Sequence, residues 1–318
     1  MVLLMKKLLG ILVLGLLLCN VGAAETIVKL PKDTASGHKK LYKSLTGTYY
    51  KDHGVQVVDK KDGHPVRAGD QSIRFEVRSG DCGKDLAGDW SDCKNDRERH
   101  ELSGLKDTMK KGEYWISWSI YFPKDHQNLS PLSNAYGQFH QKNGHPVFMF
   151  KELRNGYTIV RSIKEDYSDY NETKLLGNEE ALGNWFDILI NVNWTKKNDG
   201  FFKLWINDEL KYDYKGPTKT KKYVYQKFGI YRTGITRYLN YKNLDKIEKC
   251  FNEKGETSAK EHKALRKLKL KKFPGHKTSI NIYKKCKEYY EIDNVPTTII
   301  YFDEVRKSKK KEKVGIIK

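Results

Sequence analysis

Trp185-Phe186-Asp187-Ile188-Leu189-Ile190-Asn191-Val192-Asn193-Trp194 is the stretch that decides the fold. Phe186, Ile188, Ile190, Val192 and Trp194 fall on every second position, and the residues between them are mostly polar, which is the period of a strand with one buried face. The same alternation runs through Tyr114-Trp115-Ile116-Ser117-Trp118-Ser119-Ile120-Tyr121 and Ile73-Arg74-Phe75-Glu76-Val77-Arg78. Further strands are expected over residues 55–58, 146–151, 157–163, 201–206, 227–232 and 298–305, with turns at Asn198-Asp199-Gly200 and Ile206-Asn207-Asp208. Many short antiparallel strands joined by Gly/Asn/Asp turns make an all-β sandwich or barrel. No alternation of strand and helix appears, so a doubly wound nucleotide-binding sheet is excluded.

The chain has 318 residues, 38% of them hydrophobic and 12% aromatic, enough for a large core and too much for a disordered or collagenous chain. Sixty Lys+Arg against 40 Asp+Glu give a net charge of +20, which predicts an acidic partner: nucleic acid, an anionic membrane face or an acidic polysaccharide. Lys6 and Lys7 before the apolar run of residues 8–18, then Val21-Gly22-Ala23-Ala24, read as a secretory signal peptide over residues 1–24. The apolar run is too short to span a bilayer, and no later segment is suited to it. A secreted or periplasmic destination follows, without stable membrane insertion after cleavage. Leu18 before Cys19 argues against a lipoprotein signal.

Export gives the other four cysteines meaning, because disulfides persist outside the cytoplasm. Of three connectivities the local one, Cys82–Cys93 with Cys250–Cys286, is the simplest, and the absence of a C-x2-C pair argues against zinc. Residues 25–64 are polar and read as a lead-in. A Lys/Glu-rich segment over about 241–297, with helix-like runs at 243–252 and 258–271, reads as an insertion before the last strand. The Lys-rich tail, 307–318, is expected to fray.

Chemistry concentrates on the polar faces of the strands. Arg74, Glu76 and Arg78 share one face, and so do Arg97, Arg99 and Glu101. On neighbouring strands they would form a basic floor, with glutamates holding guanidinium groups whose planar fork suits carboxylates. In Gln138-Phe139-His140 the amide and imidazole point the same way. In Lys227-Phe228-Gly229-Ile230-Tyr231-Arg232 the lysine and tyrosine share a face across a glycine, which either opens room for a ligand or marks a bulge. Taken alone, each Arg-Glu row is more often a salt-bridge ladder than a site.

Taken in order, the R-x-E-x-R strand, Arg99-His100-Glu101-Leu102, the strand of residues 114–123, Q-x-H and K-x-G-x-Y resemble the β-jelly-roll polysaccharide lyases of the glucuronan lyase and heparin lyase type, and more distantly the alginate lyases. The resemblance covers roughly residues 65–238 and the last strand. It implies a concanavalin A-like jelly roll over 65–306 that breaks a uronic-acid polysaccharide by β-elimination. Gln138 and Arg99 (or Arg78) would neutralise the uronate carboxylate, His140 would take the proton alpha to it, and Tyr231 would protonate the leaving oxygen, with Lys227 stabilising its phenolate. Arg74, Arg78, Arg97, Glu101, Lys227 and Arg232 would bind substrate. Thr233 stands where alginate lyases usually carry Gln, which favours the glucuronan/heparin type.

A retaining glycoside hydrolase needs two carboxylates about 5 Å apart, and no strand offers such a pair. A non-catalytic lectin for acidic glycans would use the same basic face, yet needs no His and Tyr beside Gln and Lys. A nucleic-acid binder accounts for the charge and not for the export signal. The expectation is therefore a monomeric lyase for an acidic polysaccharide, requiring no cofactor; a structural calcium fits sandwich folds, but no ligand cluster compels it.

Overall fold

The computed structural model describes residues 27–44, 51–84, 90–254, 258–270, 272 and 274–315, so the signal segment lies outside the described residues. Two antiparallel sheets face each other. The first runs in the order β1 (Ile27–Val28), β3 (Leu41–Lys43), β6 (Arg97–Ser103), β15 (Val224–Thr233), β8 (Ser133–Gln141), β9 (Pro146–Leu153), β10 (Gly156–Arg161) and β11 (Asn171–Leu176). The second runs β14 (Glu209–Lys215), β13 (Phe201–Ile206), β12 (Trp185–Trp194), β7 (Gly112–Tyr121), β16 (Thr298–Ser308), β5 (Gln71–Val77) and β4 (Val55–Asp59), with β2 (Ala35–Ser36) parallel to β16. This is the expected jelly-roll sandwich.

The alternation that predicts the strands also builds the core. Phe186, Ile188, Ile190, Val192 and Trp194 of β12 face Ile116, Trp118 and Ile120 of β7 on the inner side, and all are buried. Phe139, Phe148 and Phe150 meet them from the first sheet, with the Phe148 and Phe202 rings stacked 4.0 Å apart between the layers. Each fully buried aromatic of this kind is worth roughly 1.5–3 kcal/mol.

Several expectations need correction. Residues 25–64 are more than a lead-in, because the described part supplies β1 and β3 to one sheet and β2 and β4 to the other. The Lys-rich tail does not fray as far as it is described. β16 continues to Ser308, the Lys307 ammonium donates to Asp107, and Lys309 and Lys311 lie over the rings of Tyr114 and Trp115. Arg74 and Arg78 do not join Arg97 and Arg99 on one floor. β5 belongs to the second sheet and β6 to the first, so the two rows face away from each other, and Glu76 ties Arg74 to Arg78 as a ladder. Neither arginine reaches the groove described below.

Four helices occupy the insertion, which begins earlier than expected, at Ile235: α2 (Ile235–Lys242), α3 (Leu244–Lys254), α4 (Ala259–Lys269) and α5 (His276–Cys286); a short α1 (Asn178–Ala181) precedes β12. Both disulfides form in the local pairing. Cys250–Cys286 ties α3 to α5 inside a small core of Ile247, Phe251, Leu265 and Ile282, and Cys82–Cys93 closes the loop between β5 and β6. α2 carries Tyr238 and Leu239 onto Leu129, Leu132 and Val295, which docks the insertion against the sandwich.

Candidate active site

The outer face of the first sheet holds a groove of about 1000 Å³. Register places its side chains in rows across strands β6, β15, β8 and β9. One row is Ser103, Lys227, Gln138, Met149; the next is Arg99, Tyr231, Ala135, Lys151; His140 stands beside Tyr225 at one end and Arg97 beside Thr233 at the other. The lining contains Lys43, Lys84, Arg97, Arg99, Lys106, Lys151, Lys227 and Arg237, and no Asp or Glu among the described residues. Arg237 and His276 come from the helical insertion, which is therefore a wall of the groove as well as a decoration.

Glu101 is the hub beneath this surface, and it corrects an expectation: at 1% exposure it cannot touch a polymer. Its carboxylate accepts from Arg99 Nη1 at 3.2 Å, from Lys227 Nζ at 2.7 Å and from the Gln138 side-chain amide. Three groups from three strands are thus held by one buried anion, and the second N–H of Gln138 remains to meet a ligand. Burial works against the Arg99 charge, but Glu101 and Asp92 outweigh it and hold the guanidinium above its ordinary value. Asp92 is fully buried and grips Arg99 with both oxygens, at 2.6 and 2.7 Å. It precedes Cys93, so the disulfide loop carries the clamp that aims Arg99. Trp90 of the same loop lies under the Arg97 guanidinium, 4.9 Å away.

His140 is set up as a neutral base. Its Nδ1 lies 2.9 Å from the backbone carbonyl of Gln141, and a carbonyl only accepts, so Nδ1 carries the proton and Nε2 keeps its lone pair. Burial, then the Lys227 ammonium, push the imidazole down to about 4. The ring stacks on Tyr225, centroids 5.2 Å apart. Tyr231 has the opposite character. Burial pushes its phenol up, while Arg99, whose guanidinium lies 4.0 Å over the ring, and Arg97 pull it down. The cation serving Tyr231 is thus Arg99 rather than Lys227, whose ammonium is committed to Glu101 and acts on His140 instead.

One more expectation fails, and one left open is decided. Arg232 faces inward at 0% exposure, bound to Glu98 at 2.6 Å and to the carbonyl of Pro296 at 2.8 Å, because Tyr231 next to it takes the groove face. Gly229 does not open room for a ligand. It has φ 129° in a register shift between Phe228 and Tyr231, and a Cβ there would sit 2.5 Å from the His100 carbonyl oxygen and 2.7 Å from the Phe75 ring. The positive φ and the close approach demand glycine, and the two-residue period of β15, which pairs with β6 without a register shift, keeps Lys227 and Tyr231 on one face.

The residues missed in the sequence are Asp92, Tyr225, Lys151 and the insertion's Arg237 and His276. Strand alternation already put Met149 and Lys151 opposite the buried Phe148 and Phe150. Asp92 had no local signal beyond its place beside Cys93. Among the described residues one trio has metal-ligand chemistry: His53, Asp81 and His100. Asp81 accepts from His53 at 2.8 Å and from the Arg78 backbone N–H at 2.7 Å, and His100 Nδ1 donates to the Glu76 carbonyl at 2.6 Å. This nitrogen-rich set does not suit calcium.

Comparison with known proteins agrees with this picture. A family model described as polysaccharide lyase matches residues 35–306. Among solved structures, the endo-beta-1,4-glucuronan lyase of the fungus Trichoderma reesei is 13% identical, with a TM-score of 0.50 over 88% of this chain and 94% of that one. The alginate lyase AlgAT5 of polysaccharide lyase family 7 is 18% identical, with a TM-score of 0.42 over 64% and 87%. An alginate lyase from Corynebacterium sp. is 16% identical, with a TM-score of 0.39 over 57% and 70%. No curated protein sequence matches. At these identities the solved structures speak for the fold alone, whereas the family model spans most of the sequence, and on that match the chain belongs to the polysaccharide lyase family.

Proposed function

We propose that the protein is an exported lyase that cleaves a uronic-acid polysaccharide by β-elimination. The observation that carries the reading is the convergence of a neutral imidazole, a phenol, an amide N–H and a clamped guanidinium on one groove that has no acidic lining residue among the described residues. The hydrogen alpha to a uronate carboxylate is a weak acid. Arg99 and Gln138 lower that barrier by neutralising the carboxylate and the enolate-like charge that grows on it. Nε2 of His140 removes the proton, and the C–H electron pair becomes the new double bond. The bond from the neighbouring carbon to the glycosidic oxygen breaks, and Tyr231 gives that oxygen its proton. With substrates of the opposite configuration at the acidic carbon, Tyr231 serves as both base and acid. No step draws on a metal or organic cofactor.

A polyuronate panel, glucuronan and alginate included, followed by the ultraviolet absorbance of unsaturated uronate ends, tests the chemistry and the base together. A base works only when deprotonated, so activity is lost as pH falls through its pKa. For His140 as base, the acid limb of kcat/KM lies near 4 rather than at the ordinary histidine value of about 6.5. An acid limb at the ordinary value overturns the assignment of His140, and polymer binding without product identifies a lectin.

A further inference from the structure

Lys151 is the one groove lysine in the catalytic row that the mechanism does not use. It lies on β9 opposite Ala135, and Ala135 lies opposite Tyr231 on β15, whose other neighbour is Arg99 on β6. Strands about 4.8 Å apart put the Tyr231 and Lys151 backbones about 10 Å apart. The residue between them on β8 is Ala135, whose side chain is a single methyl group. The row therefore offers a cation, a phenol, a gap and a second cation.

Lys151 has no hydrogen bond or ion pair among the described residues. Burial pushes its ammonium down, Arg97 pushes it further, and the opposing charge is Glu172 on the outer strand β11, whose carboxylate is engaged by the Tyr170 hydroxyl. A desolvated ammonium facing a groove without a bound counter-charge is a site waiting for an anion.

We propose that Lys151 binds the carboxylate of the sugar on the far side of the scissile bond from the uronate held by Arg99. This rests on the lyase reading and deepens it. Tyr231 stands between the two cations, where the leaving oxygen must be. An acidic group is then recognised on both sides of the broken bond, so the preferred substrate is a homopolyuronate rather than a polymer in which uronate alternates with an uncharged sugar.

The test compares wild type, Lys151→Met and Lys151→Arg on glucuronan or alginate, whichever is cleaved, and on an unsulfated polymer of uronate alternating with N-acetylhexosamine. Loss of one charge-assisted contact predicts a fall in kcat/KM of about 10- to 100-fold for Lys151→Met on the homopolymer, mainly through KM. The change on the alternating polymer is less than about threefold, Lys151→Arg recovers most of the loss, and the melting temperatures of all three agree. Equal losses on both polymers, or a Lys151→Met enzyme as good as wild type, overturn the subsite while leaving the lyase intact. A wild type that produces no unsaturated ends from any polyuronate overturns the lyase reading and the subsite with it.

Discussion

Tyr231→Phe should lower kcat about a thousandfold while moving KM by less than about threefold, because it deletes one oxygen and leaves the ring in place. The ring is fixed independently of its hydroxyl, being 8% exposed and covered by the Arg99 guanidinium at 4.0 Å and the Arg97 guanidinium at 5.7 Å. On the proposed reading the cations bind the polymer, so binding survives. What disappears is the proton for the leaving oxygen, which would otherwise depart as an alkoxide. General acid catalysis of this sort contributes roughly 10²–10⁴-fold. Initial rates of unsaturated product over a substrate series, with melting curves to show an intact fold, check it. A variant within tenfold of wild type would remove Tyr231 from the reaction.

The second large effect is on stability. Glu101→Ala takes away the buried anion that Arg99, Lys227 and Gln138 share, and leaves the Lys227 ammonium desolvated with no partner. Breaking a buried pair from one side costs about 3–5 kcal/mol, which for a domain of this size lowers the melting temperature by about 10 °C. Activity falls as well, since Gln138 and Lys227 lose the group that fixes them. Asp92 still grips Arg99, so the guanidinium stays near its place and the fold survives. Thermal unfolding by circular dichroism reads the effect. A shift of under about 2 °C would show that the hub carries little of the site's stability.

The sandwich was legible because strand alternation is local: each apolar position announces its face, β12 occupies the limits its sequence period sets, and β7 ends where expected but begins earlier, at Gly112. The Q-x-H and K-x-G-x-Y strands were legible for the same reason, and Gly229 does mark an irregularity, a register shift against β8. Sheet membership was not legible. Nothing local separates Arg74-Phe75-Glu76-Val77-Arg78 from Arg97-Glu98-Arg99-His100-Glu101, yet one strand lies in each sheet, and only the topology decides which arginines share a groove. Asp92 escaped because its role depends on a loop folding back over Arg99. Glu101 was assigned to substrate because a strand face does not reveal how much of it is covered. The insertion's part in the groove rests on where α2 docks, through Tyr238 and Leu239, and no sequence period encodes that.

Running the cleavage of a polyuronate in water labelled with heavy oxygen, and weighing the fragments by mass spectrometry, tests the chemistry most directly. Elimination consumes no water, so the account predicts fragments whose new non-reducing ends are lighter by one water and whose freshly cut ends carry no label from the cleavage step once exchange at reducing ends has been subtracted. Full-mass ends with one heavy oxygen inserted per cut would mean hydrolysis, and would contradict the roles given to His140, Gln138, Arg99 and Tyr231.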